Sequence, residues 1–285
     1  MKLYEEQLAK RQGNYSEQYK RFIQTGGYVS PTPNLWEDVL ISISLQKPIL
    51  LKGPSGSGKT RLAQTVSHYF GQPMVSVNCS VDLDAESLLG FKTIIQKDGQ
   101  SVIDFVEGPV VQAMKYGLIL YIDEINMAKP DTLPILHSVL DHRRVLTNPF
   151  TGEVIEAHEN FTVIAAINEG YIGTSPMNEA LKNRFIVLSV PYLTGKQLKE
   201  VIQQQFPKID ASLLTTALSI HQDLRQQVEN GLLAEEAASI RSLLDALALA
   251  AYMPLERAIW YAIAEKMEDD LERQLIKELV LTWIK

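Results

Sequence analysis

Apolar residues follow two patterns along the first two thirds of the chain. Short continuous apolar runs, bounded by polar or glycine-rich segments, predict buried strands. Helically spaced apolar residues, as over 59–70, predict helices between those runs. Because strands alternate with helices, we expect a parallel sheet flanked by helices, an α/β fold. The predicted strands are 49–52, 73–79, 118–122, 161–167 and 186–190.

Two segments interrupt this alternation. Segment 91–105 contains β-prone runs on either side of Asp98 and Gly99, a dipeptide typical of tight hairpin turns. Segment 143–161 has similar runs around Asn148 and Gly152. Both segments predict β-hairpins inserted into the α/β core.

The pattern changes again at the two ends of the chain. Residues 192–285 are almost entirely helical in spacing, which predicts a separate all-helical domain. The first 24 residues are polar and charged, and they predict two short helices or an extended arm. We therefore expect an N-terminal polar arm at 1–30, an α/β core at 31–191 and a helical lid domain at 192–285.

Composition and charge narrow the functional classes. The chain has 285 residues, 46% hydrophobic and 21% charged, which is typical of a globular protein. Its net charge of −7 counts against nucleic acid, because such binders need a surplus of Lys and Arg. The one cysteine, Cys79, forms no disulfide framework and fits a reducing compartment. With no signal-peptide pattern and no apolar run of about 18 residues, we expect a cytoplasmic protein without a membrane segment.

The segment GPSGSGKT at 53–60 matches the phosphate-binding pattern G-x-x-x-x-G-K-[ST]. It follows a predicted strand and precedes a predicted helix, which is the context that the pattern requires. In this pattern backbone N–H groups surround phosphate oxygens, Lys59 reaches the β- and γ-phosphates, and the Thr60 hydroxyl binds Mg²⁺. The alternative is a glycine-rich turn that matches by chance. The expected nucleotide-binding residues are Gly53, Pro54, Ser55, Gly56, Ser57, Gly58, Lys59, Thr60 and Arg61.

Polar residues end two of the predicted strands and supply the remaining groups of a hydrolytic site. Asp123 and Glu124 follow the run LILYI, and Asn168 ends the fourth strand. We expect Asp123 to hold Mg²⁺ together with Thr60, and Glu124 to orient the attacking water. Asn168 is placed to contact the γ-phosphate or that water. Taken alone, an acidic pair at a helix N-terminus and a turn asparagine remain the alternatives. The chain lacks the guanine-reading N-K-x-D motif, which favours ATP and leaves GTP open.

The succession GPSGSGKT, YIDEIN, VIAAIN, LKNRF and SIRSLLDA resembles the AAA+ ATPases. Over residues 30–250 the similarity is to the MoxR branch and its relatives NorQ and CbbQ, dynein-related AAA domains in the broad sense. The resemblance implies that Asn168 is the sensor 1 residue and that Arg184 is the arginine finger, which acts on a neighbouring subunit's nucleotide. It also implies that Arg241 is the sensor 2 arginine of the lid. Lys182 and Arg225 remain open as alternative cations.

The resemblance further implies an ATPase that binds ATP and Mg²⁺ and assembles as a homo-oligomer, most often a hexameric ring. The two predicted hairpins of this chain match the inserts of the MoxR branch and are expected to contact a client. The implied client is a protein, often reached through a partner with a von Willebrand factor A domain, and the implied role is chaperone-like remodelling or maturation. Two other functions stay open, a nucleic-acid-directed motor of restriction type and a nucleotide switch that does not hydrolyse.

Overall fold

The computed structural model describes residues 2–12, 15–79, 83–97, 99–168 and 177–284. The chain divides into two compact units. One comprises Met1–Tyr28, Asn34–Lys52 and Lys59–Ser189, and the other comprises Val29–Pro33, Gly53–Gly58 and Val190–Lys285. The boundaries of the arm, the core and the lid rest on the sequence pattern alone and stay a prediction.

Strands lie almost entirely in the first unit. They are β1 (Ile49–Gly53), β2 (Met74–Asn78), β3 (Gly90–Lys97), β4 (Gln100–Glu107), β5 (Ile119–Asp123), β6 (Val145–Thr147), β7 (Val154–Glu156), β8 (Thr162–Asn168) and β9 (Ile186–Ser189). Five of them form one sheet in the order β2-β5-β8-β1-β9. The pairs β1–β9, β2–β5 and β5–β8 are parallel. The predicted parallel sheet is therefore confirmed, and each of its strands begins and ends within one residue of the predicted bounds.

Helices of the first unit cover this sheet. They are α1 (Leu3–Arg11), α2 (Glu17–Lys20), α3 (Leu35–Ser44), α4 (Lys59–Phe70), α5 (Ala85–Leu89), α6 (Pro109–Tyr116), α7 (Leu133–Val139) and α8 (Glu179–Lys182). Apolar side chains of the sheet, including Leu50, Leu120 and Ile122, form one buried cluster with residues of α5, α6, α7 and α8. Burial along almost the whole of β5 explains why its sequence is a continuous apolar run.

Both predicted hairpins are present as two-stranded antiparallel ribbons. In the ribbon β3–β4, Ile94 pairs with Ile103, and in the ribbon β6–β7, Leu146 pairs with Ile155. Asp98 of the first predicted turn lies outside the described residues. The second ribbon buries Leu146 and Ile155 in the cluster of the first unit, whereas the first ribbon leaves Ile94 and Ile103 more than 70% exposed.

The second unit is helical where it follows the sheet, as predicted. Its helices are α9 (Gly195–Gln205), α10 (Ala211–Glu229), α11 (Ile240–Ala250), α12 (Leu255–Ala262) and α13 (Asp270–Trp283). Asp210 begins α10 by accepting hydrogen bonds from the N–H groups of Ser212 and Leu213. Two buried apolar clusters lie within this unit. Among the helices of the described residues, none has the length and apolarity to cross a bilayer.

The N-terminal segment contains the two short helices α1 and α2, and Arg11 at the end of α1 is completely buried. Its Nη1 donates to Gln72 Oε1 at 2.6 Å and to the Asn160 carbonyl at 3.2 Å. Its Nη2 donates to the Ile43 carbonyl at 3.4 Å, and the guanidinium lies over the Phe70 ring. Burial lowers the pKa of Arg11 to about 10. Arg11 therefore joins α1 to α3, to α4 and to the start of β8.

Replacing Arg11 with Ala is expected to lower the free energy of unfolding by about 3 kcal/mol, because buried acceptors of the first unit lose their donor. Thermal unfolding followed by circular dichroism measures the change. The exposed Glu6 on the same helix, replaced by Ala, is the matched control and is expected to have little effect. Equal melting temperatures for the two variants would contradict a structural role of the buried arginine.

Candidate functional site

The glycines of the loop 53–58 adopt conformations and close contacts that exclude side chains. Gly56 and Gly58 have φ angles of 75° and 94°, in the left-handed region that glycine favours. A Cβ on Gly53 would lie 2.2 Å from the Val190 carbonyl oxygen, and one on Gly56 would lie 2.3 Å from Ser239 Oγ. The loop is therefore a tight backbone turn between β1 and α4, as the phosphate-binding pattern requires.

One polar atom in this loop supports a role in binding an anion. The Ser57 hydroxyl is buried and has no hydrogen-bond partner within the described part of the chain. Buried polar groups are nearly always paired. An unpaired hydroxyl inside a glycine-rich loop is therefore suited to donate a hydrogen bond to a phosphate oxygen. The adjoining Lys59, the first residue of α4, is buried as well.

Residues that follow the sheet contact this loop within the second unit. The Tyr192 hydroxyl donates to the Ser55 carbonyl at 2.9 Å. Ser239, the residue before α11, lies against Gly56. Arg241 is in the first turn of α11 and is exposed. The start of α11 thus lies next to the loop 53–58, and a contact of Arg241 with the γ-phosphate stays a prediction.

The first unit brings the predicted carboxylates and the amide together at the carboxyl ends of two neighbouring strands. Asp123 ends β5, and Asn168 ends β8. Asn168 Nδ2 donates to Glu124 Oε1 at 3.3 Å. Glu124 has a φ of 52°, an uncommon left-handed conformation for a residue with a side chain. Its backbone N–H donates to Asp123 Oδ1 at 3.1 Å. Glu124 is therefore held by a strand-end turn and an amide partner.

Tyr121 joins this group and was missed in the sequence. Its hydroxyl lies 3.0 Å from Thr60 Oγ1, and it stands on the same face of β5 as Asp123, two residues away. Burial raises the pKa of Tyr121, and the charge of Asp123 raises it further. The phenol therefore keeps its proton and links Thr60 to Asp123. The available signal was an aromatic hydroxyl in the otherwise aliphatic run LILYI.

The donors at this site suit a magnesium ion that is bound together with phosphates. Thr60 and Asp123 both supply oxygen atoms, the ligand type that Mg²⁺ prefers. No cluster of three or more His, Cys, Asp or Glu residues that could hold a metal occurs in the described ranges. Mg²⁺ keeps several waters and takes ligands from substrate phosphates, so two protein oxygens are sufficient.

Glu124 lies where the strands have their carboxyl ends, which is the carboxyl edge of the sheet. Arg184 lies where the strands have their amino ends, which is the amino edge. It lies two residues before β9, whose first residue Ile186 pairs with Ile49, the first residue of β1. Its Nη1 donates to the Ala180 carbonyl, one turn earlier. Of the alternatives, Lys182 is exposed on α8, and Arg225 is paired with Glu229 at 2.9 Å on α10.

The side chains of two other residues of the sequence analysis have other roles, although Cys79 adjoins the polar group through its backbone N–H, which donates to the Asp123 carbonyl at 3.0 Å. The Arg61 side chain turns toward the N-terminal segment, where Nη1 donates to Thr25 Oγ1 at 3.2 Å. Cys79 is fully buried, and burial raises the pKa of its thiol to about 12. Cys79 is thus a packing residue and is no nucleophile at neutral pH.

Comparison with known proteins shows the family to which this sequence belongs. Residues 48–185 match the AAA domain of the dynein-related subfamily. Protein YojN of Bacillus subtilis is 53% identical over 275 residues, covering 96% of this chain and 90% of the relative. Protein SH1500 of Staphylococcus haemolyticus is 56% identical over 254 residues, covering 89% and 97%. The chain belongs to the AAA+ ATPase family, in its dynein-related subfamily.

A solved structure is similar to this AAA+ protein in fold. A point mutant of RuvB from Thermotoga maritima matches it with a TM-score of 0.50 and 18% sequence identity, over 84% of this chain and 72% of the other. At this identity the likeness concerns the architecture alone. It agrees with the parallel sheet and the helices that follow it.

Replacing Tyr121 with Phe in this AAA+ protein is expected to lower the apparent affinity for Mg²⁺ in nucleotide binding. The variant keeps the buried ring but removes the hydroxyl that orients Thr60, and loss of one such hydrogen bond is worth about 1 kcal/mol, or about fivefold in apparent Mg²⁺ affinity. Titration of Mg²⁺ at fixed fluorescent ATP analogue measures the shift.

The matched control is Tyr15→Phe, which removes another buried hydroxyl, bonded to the Gly117 carbonyl at 3.1 Å. This control is expected to leave the Mg²⁺ titration unchanged. A Tyr121→Phe titration that overlays the wild type would show that the hydroxyl does not position Thr60.

Proposed function

We propose that this protein is an ATP-hydrolysing ring ATPase of the MoxR type that remodels or matures a protein client. The family supports nucleotide binding and hydrolysis. The finer assignment rests on the arrangement of the polar residues at the two edges of the sheet. One observation carries it: Glu124 is held by Asn168 beside Asp123.

This arrangement favours hydrolysis over a passive nucleotide switch. Binding alone needs the phosphate loop and an ion ligand, whereas Glu124 is an additional carboxylate in a left-handed backbone conformation. Such strained residues cluster at functional sites. Glu124 accepts a proton from water as the water oxygen bonds to the γ-phosphorus and the bond to the β-phosphate oxygen breaks, which releases ADP and phosphate. Asn168 fixes the carboxylate in the orientation that this proton transfer requires.

Thr60 and Asp123 are the proposed protein ligands of Mg²⁺, which neutralises phosphate charge when it is bound. Lys59 contacts the β- and γ-phosphates, and the backbone of the loop 53–58 surrounds them. Arg241, at the start of α11, is proposed to connect the γ-phosphate with the helical domain. Because no guanine-reading motif is present, ATP is the proposed nucleotide.

The position of Arg184 favours assembly into a ring, which we propose to be a hexamer. Strand β5 has five residues, so its two ends lie about 15 Å apart. Arg184 is at the amino edge of the sheet, and Glu124 is at the carboxyl edge. A guanidinium at the amino edge cannot reach the hydrolytic group of its own chain, but it can face the nucleotide of a neighbouring copy. An arginine supplied in this way stabilises the charge that spreads over the transferred phosphoryl group.

The exposed ribbon β3–β4 supports a protein client. Its apolar side chains include Phe91, Ile94, Ile103 and Val106, all exposed in the structure. A two-stranded ribbon with apolar groups on the surface is typical of a site for protein interaction. By resemblance to the MoxR branch, a partner with a von Willebrand factor A domain is proposed to bring the client, in the cytoplasm.

A nucleic-acid-directed motor is the alternative function. The net charge of −7 counts against it, since binding to phosphate backbones requires a positive surface. Stimulation of the ATPase rate by DNA, falling steeply with added salt, would favour this alternative.

The ring mechanism is tested by the ATPase rate as a function of protein concentration, for Glu124→Gln, for Arg184→Ala and for their mixture. Each variant alone is expected to lose activity by about 100-fold or more. The mixture is expected to recover part of the rate, because some interfaces pair an intact Glu124 with an intact Arg184. Lys182→Ala, which removes a nearby exposed cation, is the matched control and should retain activity. A rate independent of concentration and of Arg184 would exclude shared sites.

The client role of the ribbon is tested by replacing Ile94 and Ile103 with Ser. Because both side chains are exposed on one face, the double variant is expected to fold normally and keep its basal ATPase rate. Binding of a permanently unfolded polypeptide such as reduced casein, measured by fluorescence anisotropy, is expected to weaken about tenfold, since two apolar contacts are lost. Tyr252→Ser removes a side chain that is 90% exposed on the helical domain and serves as control. Equal casein affinity for all three proteins would argue against the ribbon as the client site.

A further inference from the structure

A cavity of about 430 Å³ lies at the amino edge of the sheet, within the first unit. Its walls come from the segment before β1, the start of β8, the turn after α7 and the residue Arg184. The volume is in the range of small-molecule and cofactor sites. The cavity is separate from the group formed by Thr60, Tyr121 and Asp123, which lies at the carboxyl edge.

The lining of this cavity is rich in cations. Lys47, Arg144 and Arg184 are among its residues, and Asp141 is the carboxylate among them. Asp141 is already engaged, because Arg143 Nε donates to its Oδ1 at 2.9 Å. These hydrogen bonds from Arg143 lower the pKa of Asp141 to about 2. The lining therefore carries an excess of positive charge at neutral pH.

Neither arginine of the lining has a carboxylate partner in the described part of the chain. Arg144 Nη2 donates to the carbonyls of His158 and Phe161 at 2.9 and 3.1 Å, and Arg184 donates to the Ala180 carbonyl. Arg144 is half-buried, and this burial lowers its pKa. Carbonyl groups offset only part of a guanidinium charge, so the remaining N–H donors favour an anion.

The backbone supplies an independent observation. Gln46 and Arg144, with φ angles of 57° and 56°, are two of the three non-glycine residues with positive φ in the described chain, and the third is Glu124. Gln46 also lines the cavity. Such conformations persist where the surroundings enforce them, and they cluster at functional sites. Strained positions thus occur at both edges of the sheet, at the hydrolytic carboxylate and at this cavity.

We propose that the cavity binds the phosphate groups of the nucleotide held by a neighbouring copy of this chain, with Arg144 as a second phosphate-contacting cation beside Arg184. The proposal rests on the proposed ring function and extends it to a residue that no sequence pattern assigned. Guanidinium groups match phosphate oxygens in geometry as well as in charge. A neighbour's nucleotide is favoured over a free phosphate compound because Arg184, the proposed arginine finger, lines the same cavity.

The test mixes Arg144→Gln subunits with Glu124→Gln subunits and measures the ATPase rate. Alone, Arg144→Gln is expected to lose about 100-fold. In the mixture, interfaces that pair the intact Glu124 of one subunit with the intact Arg144 of the other restore part of the rate. No recovery, although the Arg184→Ala and Glu124→Gln pair recovers, would overturn the role of Arg144 and leave the ring function standing. Failure of both pairs to recover would overturn the ring function together with this inference.

A second measurement reports on binding without hydrolysis. In the Glu124→Gln background, ATP-dependent assembly is followed by light scattering, and adding Arg144→Gln is expected to raise the concentration needed for assembly about tenfold, whereas adding Arg144→Lys has a smaller effect. Arg21→Gln, which removes an exposed arginine elsewhere, is the charge control and should change nothing. Unchanged assembly with Arg144→Gln would overturn the proposal. Thermal melts establish that each variant is folded.

A free phosphate compound is distinguished by calorimetry on Lys59→Ala subunits diluted to the monomer, since this variant lacks the phosphate-loop lysine. Pyrophosphate is expected not to bind there. Binding of pyrophosphate that is abolished by Arg144→Gln would show that the cavity takes a free anion, and it would overturn the assignment to a neighbour's nucleotide.

Discussion

The polarity of the parallel sheet is the constraint on which the rest of the structure depends. Parallel strands end at the same edge, so the residues that follow β5 and β8 meet there irrespective of their separation in sequence. Glu124 and Asn168 are 44 positions apart and form a hydrogen bond because β5 and β8 are neighbours. The same polarity places Arg184, which precedes β9, at the other edge. Glu124 and Arg184 of one chain therefore lie at opposite ends of the strands of one sheet.

The hydrogen bonds at the carboxyl edge are positioning interactions more than sources of stability. A neutral pair such as Thr60 and Tyr121 contributes about 1 kcal/mol net, which is small beside the burial of a strand like β5. Its effect is directional, because the bond fixes one hydroxyl beside the carboxylate of Asp123. The left-handed backbone of Glu124 also has a directional effect, because it orients the carboxylate. This unfavourable conformation persists because the packed sheet beneath it stabilises it.

The arginine Arg11 is completely buried, whereas apolar side chains of the ribbon β3–β4 are exposed. Arg11 is buried without a described carboxylate partner and is held by amide and carbonyl oxygens and by the face of Phe70. Ile94 and Ile103 are exposed on a ribbon. The first arrangement ties the N-terminal segment into the fold. The second leaves apolar surface exposed among the described residues, and such surface is typical of sites of protein interaction.

The sequence by itself determined the sheet, the hairpins and the glycine-rich turn of the loop 53–58. Strand bounds were predicted within one residue because apolar periodicity is a local property of the chain, and the loop 53–60 was predicted because its glycines act through local backbone geometry. Asp123 and Glu124 were identified for the same reason, since an apolar strand directly precedes them.

Only the tertiary structure decided the partners of Arg11, the bond between Tyr121 and Thr60, and the cationic cavity around Arg144. Some of those contacts join residues far apart in sequence: Tyr121 and Thr60 are 61 positions apart, and Arg11 and Asn160 are 149 positions apart. No local pattern encodes such pairs, because they arise from the order in which strands and helices pack.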